Sequence, residues 1–213
     1  MVNLKIVAIV VDNGEPFLEK SVESLRNQTT PVSILIAPGP DTDMELAKSL
    51  GDLVLKPTSG PGRARVQGIL QADSDSIILS CDSDSWYYPW YAEEAEKWLK
   101  VFPAVKSGWV EPLEPSTLGW LEAGLCNILP YEFGLAFHRQ TFLARGMHLQ
   151  EYTGRLDIGH HFDGLAWPNP QMRVKTRLPT RAFQECLAYA PSLLLGSTPL
   201  AFAGGLIVWN LLK

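Results

Sequence analysis

The chain is organised around one stretch, Ile77-Ile78-Leu79-Ser80-Cys81-Asp82-Ser83-Asp84-Ser85. Its apolar start predicts a short buried strand. That strand would end in two carboxylates, Asp82 and Asp84, spaced i and i+2 at one edge of a sheet. Mg²⁺ and Mn²⁺ prefer oxygen ligands and often share them with substrate phosphates. The stretch therefore indicates a metal and nucleotide site, and the alternative is a solvated turn in which an aspartate caps the next helix.

Composition bounds the class of protein. With 213 residues, 46% of them hydrophobic and 19% charged, the sequence is long and apolar enough for one globular domain. A net charge of −5 argues against a broad nucleic-acid surface, so no nucleic-acid partner is expected. The three cysteines lack metal or redox spacing, and the N-terminus lacks a signal-peptide layout. Together these features predict a cytoplasmic protein.

The C-terminal end is unusually apolar. No charged residue occurs between Glu185 and Lys213, and the tract is interrupted by Pro191, Pro199 and Gly204-Gly205. A spanning helix needs about 20 mostly apolar residues. We therefore treat residues 186–213 as an apolar helical tail after a catalytic domain over residues 1–185. The tail is expected to pack on the protein itself, to contact a second copy of the chain, or to touch a membrane surface.

The first hundred residues alternate strand and helix patterns. Strands are predicted at Lys5–Val11, Val32–Ala37 and Leu53–Leu55, and helices at Phe17–Asn27 and Met44–Leu50. Asp43 is the N-cap candidate of the second helix and Gly51 its C-cap. This β-α-β-α-β order predicts an α/β fold with a mostly parallel, Rossmann-like sheet flanked by helices.

A glycine-rich loop, Thr58-Ser59-Gly60-Pro61-Gly62-Arg63-Ala64-Arg65, opens the next helical segment, which continues through Ala72. The first turn of a helix offers free backbone N–H groups to an anion. Two arginines add positive charge, so the loop is typical of a diphosphate contact. The alternative is a plain loop with solvated arginines.

The second half, residues 101–185, carries a weaker pattern. Strands are predicted at Val105–Val110 and Gly134–Phe137 and a helix at Thr117–Asn127. The segment from Arg155 to Asp163 then gathers two acids and two histidines. Such a cluster suits a general base and a metal ligand, with surface or core packing as the alternative.

Taken in order, these features resemble the family 2 glycosyltransferases, which have the glycosyltransferase-A fold. The resemblance covers residues 4–100 closely and 101–170 loosely. It is carried by the strand Ile6–Val11 running into Asp12-Asn13-Gly14-Glu15, the helical segment Ser24-Leu25-Arg26-Asn27-Gln28, the strand Ile34–Ile36, the segment Gly62–Ile69, and Ala72 followed by Ile77–Asp84.

The resemblance implies a transferase that moves a sugar from a nucleotide-diphosphate sugar to a glycan, lipid or protein acceptor, with Mn²⁺ or Mg²⁺ as cofactor. It implies that Asp84 holds the metal and that Asp82 lies near the ribose. Arg65 would lie by the phosphates, and Val11 and Asp12 would border the base.

On the acceptor side, the resemblance implies that Asp157 is the general base of an inverting displacement. His160 or His161 would complete the metal shell. Asp163 is the rival candidate for the base. Leu156 precedes Asp157 where the family usually has a second acid.

The turn after the second strand departs from the family. An acidic pair usually stands there, and one of its carboxylates meets the nucleotide base. Here the turn reads Ala37-Pro38-Gly39-Pro40, and Asp41 and Asp43 come later. The identity of the base therefore stays open.

Two other functions are weighed against sugar transfer. A nucleotidyltransferase would carry a glycine-rich loop directly after the first strand, but Asp12–Pro16 contains one glycine. A binding or assembly protein would keep the fold without catalysis. Aromatic side chains near the site suit stacking on a sugar face, although packing in the core is their commoner role, and they are Trp86, Tyr88, Trp90 and Trp120.

Overall fold

A computed structural model describes residues 6–128, 134–144 and 166–177. The strands are β1 Ile6–Asp12, β2 Ser33–Pro38, β3 Leu53–Val54, β4 Ile77–Asp82, β5 Ser85–Tyr87, β6 Ala104–Pro112, β7 Leu135–His138 and β8 Ala166–Thr176. The helices are α1 Leu18–Arg26, α2 Met44–Leu50, α3 Pro61–Gln71, α4 Tyr91–Trp98, α5 Thr117–Ile128 and α6 Arg139–Ala144.

The strands form one sheet in the order β3-β2-β1-β4-β7-β6-β8-β5. Strand β1 pairs in parallel with β2 and β4, and β2 pairs in parallel with β3. Strand β7 is antiparallel to both β4 and β6. The predicted α/β sheet with flanking helices is confirmed. The strands predicted at Val105–Val110 and Gly134–Phe137 are present as β6 and β7, and their antiparallel pairing is what the sequence did not predict.

Helices cover both faces of the parallel part. Strand β1 is buried along its whole length, as its β-branched run predicts. A Cβ on Gly68 of α3 would lie 2.7 Å from Ile9, and a Cβ on Gly51 after α2 would lie 3.0 Å from Ile36. Ile36 pairs with Val10, the neighbour of Ile9, so Ile9 and Ile36 point to opposite faces. The helices α2 and α3 therefore pack on opposite sides.

The predicted caps of α2 are present. One carboxylate oxygen of Asp43 accepts from the N–H groups of Glu45 (3.0 Å) and Leu46 (3.1 Å). The N–H of Gly51 donates to the carbonyl of Ala47 at 2.9 Å. Local chemistry alone thus sets both ends of this helix.

The chain divides into two compact units. One comprises Met1–Trp109 with Glu132–Lys175, and the other Val110–Tyr131 with Thr176–Lys213. The division into residues 1–185 and a tail stays a prediction. The cluster Arg155–Asp163 and the tail lie outside the described residues. Within the part of the chain that the structure describes, no helix is long and apolar enough to cross a membrane.

Candidate functional site

The carboxyl ends of β1 and β4 meet at one edge of the sheet. Val11 and Asp82 are direct partners in the parallel pairing, and the N–H of Ser83 donates to the carbonyl of Val11 at 3.0 Å. Asp12 follows Val11 on the same edge. In open α/β sheets, ligands bind beyond the carboxyl ends of the strands. The fold thus gathers Val11, Asp12 and Asp82 where a ligand site is expected.

Arg65 is the buried cation of this edge. It lies on α3, is 3% exposed, and forms an ion pair through Nη2 with Oδ1 of Asp82. Its Nε donates to the hydroxyl of Ser80 at 2.9 Å. The Asp82 side chain is 44% exposed, so solvent reaches the carboxylate of this pair while the arginine is buried. Arg65 is therefore not a solvated loop arginine.

The close approach of α3 to β1 explains how Arg65 reaches this position. Gly60 precedes the helix with φ of +91°, a left-handed conformation that favours glycine, and Pro61 occupies the first turn. Ala64 and Val66 pack in the core on either side of Arg65 in sequence. Arg63, two residues earlier, is exposed. The same segment therefore supplies one buried and one exposed arginine.

Asp84 lies two residues beyond β4 and is half-buried. Its Oδ1 accepts a long hydrogen bond, 3.4 Å, from the hydroxyl of Ser85. Carboxylate oxygens are the ligands that Mg²⁺ and Mn²⁺ prefer, and such ions take further ligands from phosphates and water. Asp84 fits that chemistry. Among the described residues no three His, Cys, Asp or Glu side chains converge, and His160 and His161 lie outside them.

Asp12 is a second carboxylate, only 1% exposed. Its Oδ2 accepts from the N–H of Gly14 at 3.1 Å. Its Oδ1 is buried and has no hydrogen-bond partner among the described residues. Its backbone carbonyl accepts from the N–H of Gly39 (2.6 Å) and the hydroxyl of Thr42 (3.0 Å). A buried acceptor without a donor is uncommon and destabilises the fold, so Asp12 Oδ1 is a candidate acceptor for a ligand.

The turn after β2 packs against the end of β1. Pro38 is the pairing partner of Asp12, and a Cβ on Gly39 would collide with the side chain of Asn13. Asp41 is exposed, and the Asp43 carboxylate caps α2. Neither aspartate takes the place of the expected acidic pair. The carboxylate at this part of the edge is Asp12.

Three polar residues in and just after α1, Ser21, Ser24 and Gln28, have no role predicted from the sequence pattern. The hydroxyl of Ser21 donates to the carbonyl of Asp82 at 3.1 Å. Ser24 and Gln28 hydrogen-bond with the main chain of β5 and the residues that follow it. Ser21 and Ser24 are three residues apart and share one face of α1, and Gln28 follows the helix by two residues. The spacing of these uncharged polar residues beside the buried Val22 and Leu25 in sequence was the available signal.

Cys81 is not a nucleophile at this edge. It is fully buried, and burial raises the pKa of its thiol to about 12. Tyr87, also buried, has a pKa raised well above its ordinary value by the same cause. The phenol of Tyr87 instead accepts from the N–H of Asp82 at 3.0 Å. Both residues support the end of β4 in their neutral forms.

The four aromatic residues singled out for sugar stacking are not in the core. Trp86 is half-buried beneath Lys20, whose Nζ lies 5.4 Å from the ring centroid. The rings of Tyr88 and Trp90 are 5.4 Å apart. Trp120 is 49% exposed in the other compact unit. A stacking role for these rings stays a prediction.

Residues 6–119, more than half of the chain, match the sequence profile of Glycosyl transferase family 2. The chain therefore belongs to that family, and the resemblance is confirmed. No curated protein sequence matches the chain significantly.

Solved structures share the glycosyltransferase-A fold with this chain. TarS from S. aureus superposes with a TM-score of 0.57 at 14% identity, covering 90% of this chain and 40% of TarS. Its 1–349 fragment in complex with UDP gives 0.56 at 15% identity, covering 97% and 70%. GalNAc-T7 with UDP, GalNAc and Mn²⁺ gives 0.58 at 13% identity, covering 84% and 44%. The chain thus spans less than half the length of TarS and of GalNAc-T7.

Proposed function

We propose that this chain transfers a sugar from a nucleotide-diphosphate sugar to an acceptor hydroxyl. The observation that carries the proposal is the buried Arg65, paired with the partly exposed Asp82 at the joined ends of β1 and β4, in a member of family 2. Nucleotidyl transfer, the alternative enzyme activity, lacks comparable support because the family match favours sugar transfer.

The donor's diphosphate would lie at Arg65. As the sugar leaves, negative charge grows on the departing nucleotide diphosphate, and a nearby guanidinium stabilises that charge. The ion pair with Asp82 and the bond to Ser80 hold the guanidinium in one orientation. A guanidinium held in this way can stabilise the growing charge without having to change its orientation during the reaction.

A divalent cation would be held by Asp84 together with phosphate oxygens. When bound, such a cation supplies further positive charge to the departing diphosphate. The role of Asp84 here is to bring carboxylate oxygens next to the diphosphate site. GalNAc-T7 was solved with UDP and Mn²⁺, which makes Mn²⁺ the first cation to test.

Asp12 would border the nucleotide base. Its buried Oδ1 accepts no hydrogen bond from the described residues, and nucleobases carry N–H donors. The pairing of Asp12 with Pro38 places a carboxylate beside the turn from which the acidic pair is missing. UDP is the first nucleotide to test, because it is bound in two of the similar structures.

The test of donor binding is a thermal-shift and calorimetry panel of UDP, GDP, ADP and CDP with and without Mn²⁺. A ligand that binds the native state raises the unfolding temperature. We expect one diphosphate to stabilise the protein much more in the presence of Mn²⁺. If none binds under either condition, sugar transfer from such donors is wrong. Cation-dependent hydrolysis of the donor separates an enzyme from a protein that only binds it.

Asp157 is proposed as the general base that takes the acceptor proton. Asp157→Asn keeps the side-chain shape and removes the proton acceptor, so donor binding should survive while transfer falls by a factor on the order of 10² or more. Asp163→Asn is the matched comparison. Loss of transfer in that variant alone would assign the base to Asp163. Full activity in both would contradict an inverting reaction with either carboxylate as base.

A further inference from the structure

We propose that Ser24 of α1 and Gln28, two residues after the helix, are positioning residues that set where Asp84 lies, an inference that rests on the proposed sugar transfer. Neither side chain is at the edge formed by β1 and β4. Both act through main-chain groups of the segment 82–92, which contains Asp84.

Ser24 makes two hydrogen bonds with one hydroxyl. It donates to the carbonyl of Ser21 at 2.7 Å and accepts from the N–H of Tyr87 at 3.0 Å. The first bond orients the hydroxyl so that a lone pair faces β5. The second holds the strand that begins immediately after Asp84.

Gln28 spans the other side of the same segment. Its Nε2 donates to the carbonyls of Ser24 (3.0 Å) and Tyr88 (2.8 Å), and its Oε1 accepts from the N–H of Ala92 at 2.8 Å. One amide therefore ties α1 to the end of β5 and to the first turn of α4. Both polar atoms are used in a half-buried setting, where the loss of either partner is costly.

Two more bonds close the segment at its start. The hydroxyl of Ser21, which is fully buried, donates to the carbonyl of Asp82, and the N–H of Asp82 donates to Tyr87. Asp84 thus lies between Asp82 and Tyr87, each held by α1. The bonds join residues about 60 positions apart in sequence. They hold the main chain on both sides of Asp84, and that main chain decides where its carboxylate lies.

Misplacing a ligand by a fraction of an ångström weakens a cation site, as changes to the partners of metal ligands do. Arg65 is held by Ser80 and Asp82 through side-chain bonds that include neither Ser24 nor Gln28. Loss of the α1 bonds should therefore harm cation-dependent binding more than the binding of nucleotide alone. If Ser24 and Gln28 only stabilised the fold, their loss would weaken cation-dependent binding and the binding of nucleotide alone to the same extent.

The experiment measures the dissociation constant of Mn²⁺ by electron paramagnetic resonance at saturating UDP, and that of UDP without cation by calorimetry. In Ser24→Ala and Gln28→Ala we expect Mn²⁺ binding to weaken about tenfold and cation-free UDP binding to change less than twofold. Ser24→Thr keeps the hydroxyl and should restore most of the Mn²⁺ affinity.

Two controls isolate the tertiary bonds. Ser49→Ala on α2 removes an exposed hydroxyl that also donates three residues back, to Leu46, at 2.7 Å. Asp52→Asn removes an ion pair with Arg26, outside the network. Should Ser24→Ala fold poorly, Gln28→Glu provides the second test, since it keeps the acceptor for Ala92 and loses the donors.

The outcomes separate the two proposals. If wild-type protein binds UDP with Mn²⁺ dependence and the Ser24 and Gln28 variants weaken Mn²⁺ binding no more than Asp52→Asn does, the positioning role is wrong and the proposed function stands. If wild-type protein shows no cation-dependent nucleotide binding, the proposed function fails and this inference with it. A tenfold loss rescued by Ser24→Thr supports the positioning role.

Discussion

The ends of β1 and β4 are neighbours on one sheet, and each carries an aspartate, yet the two side chains are in opposite situations. Asp82 is 44% exposed and paired with a buried arginine. Asp12 is 1% exposed, and its Oδ1 has no hydrogen-bond partner among the described residues. Asp82 pairs with Val11, so Asp12 and Asp82 lie one position apart in register and point to opposite faces of the sheet, where different elements pack beside them. Helix α3 brings a cation to β4, and the turn Gly39–Thr42 closes over β1.

The two strand ends suit different parts of a nucleotide ligand. The end of β4 has a fixed positive charge and a nearby carboxylate, Asp84, which suit a diphosphate and a cation. The end of β1 has a buried acceptor, which suits a neutral N–H donor such as a nucleobase. The diphosphate of a nucleotide ligand would then bind at the end of β4 and its base at the end of β1.

Asp84→Ala should produce the largest change. Removing this carboxylate takes away oxygen ligands, so the Mn²⁺-dependent part of UDP binding should fall on the order of 100-fold, below detection in calorimetry. Asp75→Ala, an exposed aspartate before β4, is the matched control. Undiminished Mn²⁺ dependence in Asp84→Ala would remove the cation from the β4 end.

Arg65→Ala should be next. A charged hydrogen bond to phosphate contributes about 1.5–3 kcal/mol, so UDP binding should weaken about 10- to 100-fold while uridine binding changes little. Arg63→Ala, on the exposed face of the same helix, should leave both unchanged. Equal losses for uridine and UDP would give Arg65 a structural role instead.

Asp12→Asn should show the reverse pattern. Because the base is common to uridine and UDP, both should weaken by the same factor, about tenfold for one altered hydrogen bond. Asp41→Asn in the exposed turn after β2 is the control. A loss confined to UDP would mean that Asp12 acts on the phosphates, and the contrast between the two strand ends would disappear.

Asp52→Asn should have the smallest effect of these variants. It measures how much an exposed Arg–Asp pair contributes to the stability of the fold. Asp52 bonds to Arg26 at 2.6 and 3.0 Å, and its side chain is 41% exposed. Burial raises the pKa of Asp52, but bonds from Arg26 and the N–H of Ile34 outweigh it and leave the pKa below its ordinary value. Solvent screening limits the contribution to stability to about 1 kcal/mol or less.

Because this pKa is lowered on folding, the stabilisation is present at neutral pH and is lost as pH falls through the folded-state value. Urea denaturation of wild type and Asp52→Asn should therefore differ at pH 7 and converge in strong acid. A difference that grew on acidification would contradict the assignment. Arg65 is 3% exposed whereas Arg26 is 43% exposed, so removing the carboxylate partner of Arg65 should cost more stability.

Local sequence signals determined much of the donor half. The β-branched run predicted β1, Asp43 and Gly51 marked the ends of α2, and the apolar run before Asp82 predicted β4. These features depend on neighbours within a few residues, where periodicity and capping chemistry act. The family also followed from the order of these local elements.

Long-range packing decided what the local signals left open. β8 was not predicted, because Pro168 and Pro170 within it argue against a strand. β7 lies antiparallel between β4 and β6, an arrangement that periodicity does not encode. Pairing of strands distant in sequence is set by the whole core and not by either segment.

The site divides in the same way. The sequence by itself determined that Asp82 and Asp84 follow a buried strand and that Arg65 lies in a helix opened by glycines. Only the tertiary structure decided that Arg65 is buried against Asp82 and that Asp12 is enclosed. The polar residues in and just after α1, similarly, acquire their partners only in the fold. The physical reason is that burial and hydrogen-bond partners are properties of surfaces brought together across 17 to 64 residues of chain, which no local pattern specifies.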